Sequence, residues 1–286
     1  MRKTLAALLA ALVAATPAHA APAIWKVTDA DSVVWLFGSV HMLQPDTEWR
    51  TPTLNKILSK ADRVYFEADV SPEAQVNVIA ATVEAGFYSG GVLLSDEIDA
   101  KLVDRLRDAA REYGIPMPAL LTMKPWMAAM TLSSGPLAGS GYEANYGVET
   151  VLAAELPKER TGFLETGEQQ IEFLAGGSLA EQVTMLEATL DTLNVAERDL
   201  YTMVAAWLDG DPESLGDLFD TQMGGFDDRV MDRVIDLRNH NWTEQIAQML
   251  EANEAALLVV GAAHLAGQAS VVKLLEQRGF SSERVQ

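Results

Sequence analysis

The chain has 286 residues, of which 49% are hydrophobic and 22% charged; that is enough apolar material for a sizeable core and too much for a disordered or fibrous protein. With 41 acidic and 21 basic side chains the formal net charge is −20, which repels phosphate backbones and anionic lipid surfaces and argues against nucleic acid as a partner. There is no cysteine, so disulfides, thiolate nucleophiles and cysteine-ligated zinc are excluded.

Residues 1–20 read as an export signal. Arg2 and Lys3 form a basic head, Leu5 to Ala15 an apolar run, Pro17 a breaker, and Ala18-His19-Ala20 a small-x-small cleavage site. The run is too short to cross a bilayer core of ~30 Å, and no later segment reaches ~18 uninterrupted apolar residues. The expectation is cleavage after Ala20, a mature chain with no membrane span, and a periplasmic or secreted bacterial location. Residues 21–286 contain no Gly-, Pro- or Ser-rich linker and read as a single domain.

After the signal, Ala23 to Thr28 alternates like a strand, Asp29 to Ser32 marks a turn, and Val33 to Phe37 is a second apolar run, a hairpin leading into Gly38. A short helix begins at Thr53, and Arg63 to Glu67 is a third strand. Ser71-Pro72-Glu73 then opens a helix with an N-cap and a proline at its first position. From about 71 to 250 the pattern is largely helical. Leu102, Arg105, Leu106 and Ala109 follow the 3.6 period, while Ile115-Pro116-Met117-Pro118 and Gly135-Pro136 interrupt it. Tyr142, Tyr146 and Gly147-Val148-Glu149 start a helix with no chemistry of their own. Arg160 to Glu165 is a strand set among helices, followed by Thr166 as a cap with Gln169 at the box position. Residues 181–209 form one long amphipathic stretch with Val183, Leu186, Leu190 and Leu193 on a stripe. Ala256 to Val260 is a buried strand, Val271 to Gln277 a helix, and Arg284-Val285 closes the sheet. The fold expected is α/β (α+β): a mixed central sheet from two related strand–Gly-x-x-His halves, flanked by helices, with a large helical insertion.

Those halves carry the chemical signal. Trp35-Leu36-Phe37-Gly38-Ser39-Val40-His41 matches Leu258-Val259-Val260-Gly261-Ala262-Ala263-His264. A strand buried on both faces delivers its carboxyl end to a crevice of the sheet, where glycine permits a sharp turn or a close approach. Two such corners side by side bring two imidazoles together, and imidazole serves as metal ligand or as general base near physiological pH. Glu67 ends the strand Val64-Tyr65-Phe66, an awkward place for a charge unless it faces a partner or a site. Arg238-Asn239-His240-Asn241-Trp242 is a second polar cluster, between a helix ending near Leu237 and the amphipathic stretch Ile246 to Leu250. It reads either as a helix-to-helix corner with an arginine–carboxylate pair, or as an arginine fork for a carboxylate or an oxyanion.

Several landmarks are similar in kind and order to the TraB/PrgY/GumN family, which belongs with the Tiki-type proteins. They are Gly38-Ser39-Val40-His41, Tyr65-Phe66-Glu67-Ala68-Asp69, Tyr146-Gly147-Val148-Glu149, Phe163-Leu164-Glu165-Thr166 with Gln169, Arg238-Asn239 with Trp242, and Gly261-Ala262-Ala263-His264. They span roughly residues 24–285, and Glu149 departs from the aspartate expected in the family. The resemblance implies a mixed sheet of two related halves flanked by helices. It also implies a likeness to metal-dependent proteases, a distant relation to erythromycin-esterase-like proteins, and active-site candidates His41, Glu67, Arg238, Asn239 and His264.

The resulting expectation is a metal-dependent hydrolase, peptidase-like, acting outside the cytoplasm on a peptide, another amide or ester, or a small molecule. His41, Glu67 and His264 would hold one divalent ion (manganese, cobalt or zinc) with a water on it, while Arg238, helped by Asn239, stabilises the oxyanion. A metal-free variant uses His41 as general base, oriented by Glu67. The rival class is non-catalytic: a protein that holds haem or a metal on the histidine pair, or a scaffold that binds protein in the crevice.

Overall fold

The computed structural model describes residues 20–286, so the export-signal reading lies outside the described residues except for Ala20. The first two strands, β1 (Ile24–Thr28) and β2 (Val33–Ser39), form the expected antiparallel hairpin. Asp29 accepts hydrogen bonds from the Ser32 amide at 2.8 Å and the Ser32 hydroxyl at 2.6 Å and so closes its turn. Next come β3 (Arg63–Phe66), β4 (Thr161–Phe163), β5 (Ala256–Gly261) and β6 (Ser281–Arg284). All six lie in one mixed sheet, in the order β4-β3-β5-β2-β1-β6.

Strand β5 inserts between β2 and β3 and pairs parallel with both, with Gly38 opposite Val260, Ser39 opposite Gly261, and Phe66 opposite Val259. Strand β4 adds in parallel beyond β3, while β1 alone runs against its neighbours β2 and β6. The carboxyl ends of β4, β3, β5 and β2 therefore stand side by side along one sheet edge. Parallel neighbours need long crossovers, which the helical segments supply.

The near-continuous apolar runs in β2 and β5 follow from burial on both faces. Trp35, Phe37, Leu257 and Val259 face one layer, built from helices Pro52–Lys60, Val148–Glu155 and Ala196–Leu208. Val34, Leu36, Leu258 and Val260 face the other, built from helices Leu237–Glu251 and Val271–Gln277. A third cluster, including Leu106, Trp126, Leu132 and Leu186, holds a helical layer of its own.

Local signals acted as expected where they were strong. Thr51 and Ser71 cap their helices with proline at the start, and Thr166 and Gln169 form the capping box. The amphipathic stretch 181–209 is built of two helices: Leu179–Thr192 ends in a tight turn, Leu193–Val195, before Ala196–Leu208 begins. The β-branched and polar run Thr192-Leu193-Asn194-Val195 carries low helix propensity at that point. One segment differs from the sequence reading: residues 238–242 are not a corner. They form the opening turns of the continuous helix Leu237–Glu251, which follows a π-helical turn at Asp232–Asp236. No glycine or proline stands between Asp227 and Ala256 to stop it, and Arg238, Asn239 and Trp242 are held by burial rather than by propensity.

Candidate functional site

The four aligned strand ends each deliver a polar residue to the same edge. Glu165 comes two residues after β4, Glu67 follows β3, His264 follows β5, and His41 follows β2. This is the crevice outside the carboxyl ends of parallel strands, where α/β proteins build sites. Gly261 lies at its centre. A Cβ added there would lie 3.1 Å from Glu67 Oε1, 3.5 Å from His264 Cδ2 and 3.5 Å from His41 Nε2. The two histidines and the glutamate thus share one small space, as the matching corners led us to expect.

The corners then diverge. After β5 the chain curls into a short turn, Ala262–Leu265, which buries His264. Asn239 donates its amide hydrogen to Ala269 O at 2.8 Å, which turns Oδ1 toward His264 Nδ1 at 2.7 Å. Nδ1 therefore carries the proton, and Nε2 accepts from Arg238 Nη1 at 3.1 Å. Trp242 packs on the ring at 4.4 Å between centroids. Burial pushes the His264 pKa down to about 3 against the pull of Glu67, and the Arg238 guanidinium works in the same direction as burial. This histidine is neutral and structurally fixed.

After β2 the chain bends at His41 without forming a helical turn, and the His41 side chain is 64% accessible. Backbone bonds between Leu43 and Glu143, and from Val148 N to Val40 O at 3.2 Å, clamp this segment to the start of helix Val148–Glu155. Gly147 makes the approach possible: a Cβ there would fall 2.1 Å from the His41 carbonyl oxygen. Glu149, buried on that helix, meets His41 Nδ1 at 2.8 Å and accepts from the Ser39 hydroxyl. The Glu149 carboxylate lifts the His41 pKa to about 9, opposed by desolvation and helped by Glu67. Water reaches the ring and screens part of that field. Nε2 points toward the space at Gly261.

Arg238 ties the remaining groups together. Its Nε meets both Glu165 oxygens at 3.0 and 3.1 Å, its Nη1 reaches Val234 O and His264, and its Nη2 pairs with Glu67 and Glu165. All five guanidinium donors are engaged. Arg238 is therefore a positioning residue, and the oxyanion role expected for it is corrected, since it has no donor left to offer; Asn239, almost wholly buried, spends one amide hydrogen on Ala269 O and its oxygen on His264. Trp242 Nε1 donates to Glu165 at 2.9 Å and its ring lies 4.7 Å under the guanidinium. Burial pushes the Glu67 carboxyl up, but His264, Arg238, His41 and the Gly261 amide at 2.7 Å together hold it well below the usual carboxylate range. Because His264 is neutral, we assign that effect chiefly to Arg238 and the amide.

Two residues of the site appear in the sequence only as family landmarks with no role assigned. Glu149, not Glu67, orients His41. Glu165 shares Arg238 with Glu67, and its strand-then-glutamate pattern, Phe163-Leu164-Glu165, repeats Tyr65-Phe66-Glu67. That repetition was the signal available for it. Apart from its place among the family landmarks no local signal marked Glu149, because its partner lies 108 positions away across the clamp at Gly147.

The residues present do not fit a single metal ion held by His41, Glu67 and His264. One ring nitrogen of His264 is a protonated donor and the other faces a cation, and Glu67 is bound to Arg238 and Gly261. Among the described residues no group of three histidine, aspartate or glutamate side chains is arranged to hold a metal ion. No helix of the described residues is long and apolar enough to cross a membrane.

The sequence profile of the TraB/PrgY/gumN family matches residues 23–284. The chain is 28% identical over 244 residues to "Uncharacterized protein YbaP" of Escherichia coli (strain K12), covering 84% of this chain and 86% of that protein. It matches the protein of the same name in Shigella flexneri to the same extent. No solved structure matches it.

Proposed function

The chain belongs to the TraB/PrgY/gumN family, and from the geometry of its site we propose that it is a hydrolase of an ester or amide, exported from the cytoplasm, in which His41 is the general base. The observation that carries this reading is the dyad of an accessible imidazole and a buried carboxylate, His41 Nδ1 to Glu149 at 2.8 Å, with Nε2 directed at the shared space beside Glu67. Neutral His41 takes a proton from water on Nε2. The hydroxide oxygen adds to the carbonyl carbon. The tetrahedral intermediate collapses as the same Nε2 returns its proton to the departing oxygen or nitrogen. Glu149 stabilises the imidazolium formed in between, and Glu67 Oε1 accepts a hydrogen bond from the attacking water and aims it. Arg238 and His264 hold Glu67 in place.

A haem or metal held on the histidine pair would need an open ring nitrogen on each; of the two only His41 offers one, which favours hydrolysis over that reading. Export rests on the Arg2 to Ala20 pattern. The test is hydrolysis of p-nitrophenyl esters by the tag-free protein before and after exhaustive chelation. We expect kcat/KM unchanged by chelation and lowered about 10²–10⁴-fold in His41→Ala. Activity lost on chelation and restored by manganese, cobalt or zinc would overturn the metal-free step.

A further inference from the structure

Above the His41 edge lies a cavity of about 550 Å³, a size that buries a small organic ligand. His41, Arg238, Gly261 and His264 form part of its wall, and helices Ala196–Leu208 and Pro212–Met223 with the π-helical turn form much of the rest. The sequence that builds this wall is unusual for so acidic a chain. Leu200, Met203, Phe219, Met223, Phe226 and Ile235 border the cavity, each only half-buried; Leu200, Met203 and Phe226 also pack on the core behind it. A single carboxylate stands among the lining residues, Asp199, and it is paired with Arg198 at 3.0 Å. Arg238 lines the cavity with every donor engaged.

Resting on the hydrolase reading, we infer that the substrate is an ester or amide of an unbranched aliphatic acid, whose acyl chain lies in this cavity and whose carbonyl stands at His41. An apolar wall desolvates a methylene chain at no cost in unpaired polar groups. A peptide would bring a backbone donor and acceptor with every residue, and the mostly apolar wall has only Ser39, Ser133, Thr189, Thr192 and Gln222 as uncharged polar side chains to meet them. The methionines, unbranched and adaptable, suit a flexible chain. Trp207, whose indole donates to Gly38 O at 2.7 Å, anchors the cavity-lining helix to the strand end beneath. Chain binding and carbonyl placement are thereby coupled.

The experiment compares p-nitrophenyl acetate, butyrate, hexanoate and octanoate, with His41→Ala as the background. We expect kcat/KM to rise by about fourfold per added methylene up to octanoate. In Leu200→Trp, which fills the cavity, the octanoate-to-acetate ratio should fall at least tenfold; in Phe219→Ala, which enlarges it, the optimum should move to decanoate. A flat dependence on chain length, or a preference for an apolar peptide anilide, would overturn the inference and leave the hydrolase reading standing. A second arm reads binding without turnover: N-phenyl-1-naphthylamine fluorescence on His41→Ala protein, displaced by octanamide. Displacement that is lost in the Leu200→Trp, His41→Ala double variant supports the cavity even if no ester is hydrolysed, a result that would sink only the hydrolase reading. No probe binding overturns the inference.

Discussion

His41 and His264 occupy the same offset after matching strands, yet their neighbours drive them apart. A buried carboxylate holds one toward the charged form, and burial beside a guanidinium holds the other neutral. The assignment of base and scaffold follows from that difference, which a sequence pattern alone does not contain. In the proposed mechanism the base must be neutral, so kcat/KM should climb with pH toward about 9. Glu149→Gln removes the charge that lifts His41, and the midpoint should move down toward the ordinary 6.5. A pH–rate profile of both proteins checks this, and coincident midpoints would count against the dyad. Arg238 stands between two carboxylates that are both buried. Arg238→Ala strands them, and urea unfolding should show a loss of about 3–5 kcal/mol.

At the scale of elements, two glycines set the geometry. Gly261 has φ −48°, which alanine adopts freely, so Gly261→Ala should fold normally. Its methyl group would nonetheless occupy the space shared by Glu67, His41 and His264. We expect a folded protein with at most a modest fall in melting temperature, as Glu67 gives way to the methyl, and a fall in kcat/KM of about 10²-fold or more, measured on the same ester. Gly147→Ala is the opposite case: its Cβ collides with a backbone oxygen. It should cost about 1–3 kcal/mol, visible in the urea midpoint, and loosen the segment that carries His41. The sheet was legible because its strands obey one rule, apolar runs bounded by turn residues, and because caps such as Ser71-Pro72 and Thr166 with Gln169 act locally. The Arg238 segment was misread because helix Leu237–Glu251 owes its opening turns to tertiary contacts of Arg238, Asn239 and Trp242, not to the polar residues that suggest a corner. The two histidines and Glu67 were found from strand ends. Glu165 depends on which ends lie side by side, which the parallel order β4-β3-β5-β2 supplies, and Glu149 on the helix start clamped against the segment after β2.

For the whole molecule, the two histidines give stability a pH dependence of opposite sign. His41, raised from 6.5 to about 9 in the fold, contributes stability that is complete below 6.5 and is lost as pH rises to about 9. His264, lowered to about 3, contributes stability present above 6.5 and lost as pH falls toward 3; depressed Glu67 adds to the acid limb below its ordinary 4.5. Urea midpoints across this range should peak near neutrality. His41→Ala should flatten the alkaline limb; equal slopes in both proteins between 6.5 and 9 would refute the assignment. The arrangement also explains how one acidic chain combines a charged sheet edge with an apolar cavity: the polar groups are spent on one another, and only His41 is left facing outward. The most direct measurement is the titration of His41 and His264 in imidazole-labelled protein by nuclear magnetic resonance. We expect His41 to titrate near 9 and His264 to remain a neutral Nδ1–H tautomer at every pH at which the fold survives. Two rings titrating together near 6.5, or His264 as the one that protonates, would contradict the account.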